Sequence, residues 1–77
     1  MLEGMDELLG RITRDPEVCG GKPCIRGMRI RVIDVLDLLS AGESIDEILS
    51  EYPYLVREDI LACFAFARLQ LTESTAS

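Results

Sequence analysis

From residue 32 onward, apolar positions recur every three or four residues, the period of a helix. Val32, Val35, Leu36 and Leu39 form one stripe, with Asp34 and Asp37 opposite, and predict a helix over about Val32–Ala41. Gly42 supplies a left-handed stop. Ser44 and Glu47 have the spacing of a capping box. Ile45, Ile48, Leu49 and Tyr52 form the next stripe, which Pro53 ends. A third and longer helix is predicted over about Arg57–Leu71. It is apolar nearly all round. Ile60, Phe64, Ala67 and Leu71 line one face, and Ala62, Phe66 and Leu69 lie on the opposite side. A helix of that kind is usually buried all round. The expectation is a homodimer or a tight hetero-complex through Ala62, Phe66 and Leu69. The alternative is that the N-terminal segment covers this face.

Upstream the pattern changes. Leu2, Met5, Leu8 and Leu9 have helical spacing over residues 1–10. Asp-Pro, Gly-Gly, Lys-Pro and Arg-Gly then punctuate the chain. Two short extended pieces fit between these breakers, one near Arg11–Thr13 and one near Met28–Val32. In the second, Met28, Ile30 and Val32 alternate with Arg29 and Arg31, so both arginines share one face. The whole predicts one domain of mainly α class. A β/loop extension over 11–32 precedes a trihelical helix-turn-helix unit over 32–71, and 72–77 form a tail.

Charge sharpens this picture. The chain has 77 residues and a formal net charge of -6. Yet residues 11–31 hold six bases against two acids, whereas residues 32–77 hold two bases and nine acids. Such asymmetry points to a local anionic partner. Lys22, Arg26, Arg29 and Arg31 are the candidate contacts. Two readings of these four stay open on charge alone. They meet nucleic acid, or they pair with acids on the chain's own helices as a solvated surface of little energetic weight. Nucleotide binding does not fit, because Pro23 follows Gly20-Gly21-Lys22 where a phosphate loop needs Ser or Thr.

No catalytic constellation is visible, and histidine is absent from the sequence. The three cysteines lack both the pairing of a disulfide framework and the CxxC spacing of structural zinc, so neither metal nor cofactor is expected. Cys19 and Cys24, beside glycine and near Lys22, leave a redox role as a minor option. Unpaired cysteines, an acidic start without a signal-peptide pattern and no long apolar run point to a cytoplasmic, non-enzymatic protein.

Two runs then carry a resemblance: ITRDPEVCGGKPCIRGMRIRV, and VLDLLSAGESIDEILSEYPYLVREDILACFAFA. Together they resemble a small prokaryotic family first catalogued as a domain of unknown function (family four-three-three), whose members are described as VapB-like antitoxins. The match covers about residues 12 to 67. The resemblance implies a homeodomain-like helical fold with an N-terminal β extension, and a PIN-like ribonuclease toxin as partner. It also gives the basic segment an anionic surface to meet, either operator DNA or the toxin's acidic pocket, since arginine's fork suits both phosphate and carboxylate. DNA is the expectation for Arg29 and Arg31. A non-DNA-binding dimerisation or adaptor module is the alternative. The short LTESTAS tail favours binding of the toxin by the folded body. One position departs from the family pattern: Val56 stands where Thr is common, and valine has no hydroxyl with which to cap the last helix.

Overall fold

The computed structural model describes residues 2–75, with the side chains at 2, 3, 74 and 75 left aside. Among these residues the protein is mainly helical, with four helices and one small antiparallel sheet. Helix α1 spans Leu2–Leu9, strand β1 Ile12–Thr13 and strand β2 Cys24–Ile25. Helices α2, α3 and α4 span Val32–Ser40, Ile45–Glu51 and Arg57–Thr75. Helix α4 therefore runs past Leu71, and Ala76 and Ser77 of the expected tail lie outside the described residues.

Local chemistry explains the helix ends. At the end of α2, Gly42 takes φ 98, its N–H donates to the Leu39 carbonyl at 3.0 Å, and the Glu43 N–H donates to the Leu38 carbonyl at 3.1 Å. That pair of bonds is a Schellman stop. The next helix begins with the capping box read from the sequence. The Glu47 N–H donates to Ser44 Oγ at 3.1 Å, and the Ser44 N–H donates to Glu47 Oε1 at 2.8 Å. At α4 the missing threonine is replaced from the other side. The Asp59 carboxylate accepts the Val56 N–H at 3.0 Å, so the helix start is held although Val56 cannot cap it.

The expected second strand is corrected. Pairing falls at Cys24–Ile25, in register Ile12–Ile25 and Thr13–Cys24, and not along Met28–Val32. Arg26 and Gly27 have φ 47 and 70, and the Met28 N–H donates to the Ile25 carbonyl at 2.8 Å. Two successive positive φ values make a tight reversal. The returning chain touches β2 through a single bridge, Cys24 with Arg31, before the Val32 N–H turns to the Pro23 carbonyl at 3.0 Å and α2 begins. The alternation survives as burial: Ile30 and Val32 are buried while Arg29 is exposed.

The core gathers Ile25, Ile30, Val32, Val35, Ile48, Leu55, Ile60 and Cys63, drawn from β2, the run that leads into α2, the helices α2, α3 and α4, and the turn before α4. The stripe expected on α4 is also corrected. Ile60 faces the core, but its companion there is Cys63, while Phe64 and Leu71 stand exposed. Helix α1 packs along α4 more extensively than any other pair of elements. Ala62 and Ala65 of α4 are also buried without belonging to the main apolar cluster.

Candidate functional site

The basic segment is largely tied to the body of the protein. Arg26 leaves the reversal after β2 and forks onto Asp59 in the first turn of α4. Its Nε donates to Oδ1 at 2.9 Å and its Nη2 to Oδ2 at 2.7 Å, with a further bond from Nη2 to the Tyr54 carbonyl at 3.0 Å. Arg11, just before β1, adds a bond from Nη1 to Asp59 Oδ1 at 3.1 Å. With the Val56 N–H, four donors occupy the roughly four acceptor directions of one carboxylate. Asp59 is 0% exposed. Burial acts to raise its carboxyl pKa, but the bonds from Arg26, Val56 and Arg11 outweigh burial and hold it below the ordinary carboxylate range.

Arg31 is engaged as well. It precedes α2, and its backbone N–H, Nε and Nη2 all reach the Asp34 carboxylate, at 3.0, 3.1 and 2.7 Å. The hydrogen bond from Arg31 holds the Asp34 carboxyl below its usual range. Arg14 lies over the Phe66 ring, with its guanidinium carbon 5.6 Å from the centroid. Arg14, Lys22 and Arg29 are the three bases of residues 11–31 that form no ion pair among the described residues, and of these Lys22 and Arg29 stand apart because Arg14 rests on Phe66. Both are exposed. Arg29 lines a depression of about 390 Å³ together with Asp34, Asp37, Tyr52 and Tyr54.

The helix face expected as an interface is split. Ala62 is 0% exposed within its own chain and has no surface to offer another, which corrects the expectation for that residue. Phe66 and Leu69 are half-buried, and Phe66 packs against the core. Phe66 instead opens onto a groove of about 510 Å³ between the first turn of α2 and the later turns of α4. Val32, Ile33, Leu36, Phe66, Ala67 and Leu71 line it, and Lys22, Pro23, Arg31 and Gln70 complete its rim. Ile33, at 50% exposure, is the residue that sequence reasoning missed. Its signal was an apolar side chain flanking, but outside, the α2 stripe.

The thiols offer little chemistry. All three are free; burial, then the neighbouring Cys19, pushes Cys24 up to about 11, and burial pushes Cys63 up to about 12. Cys24 and Cys63 therefore stay protonated near neutral pH. Among the described residues no cluster of three or more His, Cys, Asp or Glu is placed to hold a metal. Among the same residues no helix is long and apolar enough to cross a membrane.

Comparison with known proteins adds three findings. The family model for "Protein of unknown function (DUF433)" matches residues 12–67. The chain is 34% identical over 68 residues to uncharacterized protein y4eO of Sinorhizobium fredii, covering 84% of this chain and 31% of that protein. It thus spans about a third of that relative's length. A crystal structure of a DUF433 member from Anabaena variabilis superposes with a TM-score of 0.75 at 30% identity, covering 99% of this chain and 78% of that one. The two motif runs, the fold and the family match agree, and the chain belongs to the DUF433 family.

Proposed function

We propose that this chain is an antitoxin-like regulator of a type II toxin–antitoxin pair, and that its folded body binds a PIN-like ribonuclease through the groove between α2 and α4. The observation that carries this is the groove itself: an open apolar surface in an otherwise acidic protein, with cationic groups at its rim. Exposed apolar surface rimmed by polar groups marks interaction sites. The choice of a PIN-like ribonuclease as partner follows what the resemblance carried by the two motif runs implies. Growth tests the reading. Expression of a PIN-like ribonuclease encoded beside this chain is expected to arrest cells, and co-expression of this chain to restore growth. Arrest without restoration contradicts it.

The packed helices α2, α3 and α4, joined by the Gly42 turn, support a homeodomain-like helix-turn-helix unit that binds operator DNA as a dimer. This half of the reading now rests on Lys22 and Arg29, because Arg26 and Arg31 are held by Asp59 and Asp34. That pairing also favours the second reading, an adaptor without DNA affinity. Salt titration of duplex binding separates them. If Lys22 and Arg29 touch phosphates, replacing both by Ala lowers the log–log salt slope by about 2. An unchanged slope shows that Lys22 and Arg29 are not the phosphate contacts, and no salt-dependent binding by the wild type leaves the adaptor.

A further inference from the structure

We infer that the element received by the α2–α4 groove is an amphipathic helix carrying a carboxylate at the end that meets Lys22; this rests on the groove being the partner site. The walls explain the helix. The principal walls are helices, α2 and α4, and the groove offers no open strand edge. An occupant therefore finds no ladder of main-chain hydrogen bonds there. An extended segment would bury unsatisfied N–H and C=O groups against Val32, Ile33, Leu36 and Phe66, whereas a helix arrives with its own bonds already made. The floor accepts only apolar side chains, so the helix presents aliphatic or aromatic residues one turn apart.

The rim explains the carboxylate. Lys22 is exposed and forms no ion pair among the described residues, and beside it Arg31 keeps its side chain 37% exposed although paired with Asp34. Both sit where α2 begins, the positive end of that helix. Elsewhere the protein is acidic, so an acid on the occupant is repelled at most of the surface and attracted at this end. The charge thereby sets the direction of the bound helix. A second copy of this chain is a weaker occupant, since α1 packs onto α4, and α3 onto α2 and α4.

The probe is a synthetic helix-forming peptide of roughly 15 residues, with leucines at i, i+4 and i+7 and a flanking glutamate, and a twin in which lysine replaces the glutamate. Amide resonances of the isotopically labelled full chain report where each binds. The glutamate peptide is expected to shift Val32, Ile33, Leu36 and Ala67 saturably and to bind about fivefold tighter than its twin. Lys22→Glu is expected to invert that order while leaving the rest of the spectrum in place. Binding at the groove without charge preference overturns the inference, as does no saturable shift there. Groove resonances that move only with the protein's own concentration overturn it in favour of a second copy. Should the peptides fail while restoration of growth still depends on Ile33, the partner-site reading stands and only the form of the occupant is wrong.

Discussion

Replacing Asp59 by Ala is expected to lower the stability of the domain by about 3 kcal/mol. One carboxylate gathers Arg26, Arg11 and the Val56 N–H, so its removal acts at three places. The start of α4 loses its cap. The link between the N-terminal segment and the last helix is cut. Arg26, held at φ 47 where a non-glycine residue is strained, loses the bidentate contact that secures it. A domain of this length has roughly 4–12 kcal/mol in all, so the expected loss is a large share. It corresponds to a fall in melting temperature of about 12 °C or more. Urea unfolding of the two proteins measures it. A loss under about 1 kcal/mol would show that the network is peripheral.

The same carboxylate makes stability depend on pH, with a definite sign. Its folded pKa lies below its unfolded value, which is near 3.9 for a free aspartate. The stability it contributes is therefore complete above about pH 4 and is lost as pH falls through the lower folded value. In Asp59→Asn this part of the acid dependence disappears. Some dependence remains, because Asp34, through Arg31, and Glu47, through the Ser44 amide, are also held below their ordinary range.

What could be read from the residues was local. The Ser44–Glu47 box and the Gly42 stop each depend on residues a few positions apart, and both form. Asp59 was not legible. An acid in the first turn of a helix ordinarily faces water, and it is buried here because the reversal at Arg26–Gly27 brings a guanidinium from 33 residues away. The positive segment likewise suggested an anionic ligand, when much of its charge is directed at the chain's own helices. The burial of Ala62 was not legible for a similar reason: periodicity along α4 does not show which of its apolar positions the rest of the chain covers. The groove escaped notice because its walls meet only in three dimensions, α2 against the far end of α4.

The second large effect is expected at Ile33. It lies half exposed on α2 and lines the groove while making no part of the buried core, so Ile33→Asp leaves the fold intact. A charge placed on that apolar floor is expected to weaken binding of the PIN-like ribonuclease by about 30-fold or more, the scale of a central interface residue. The most direct test is the growth of cells expressing that ribonuclease with wild-type protein or with Ile33→Asp, after unfolding curves have shown equal stability. Restoration by the wild type and arrest with the variant is the predicted result. Equal restoration by both would place the partner elsewhere on the molecule and contradict the assignment of the groove.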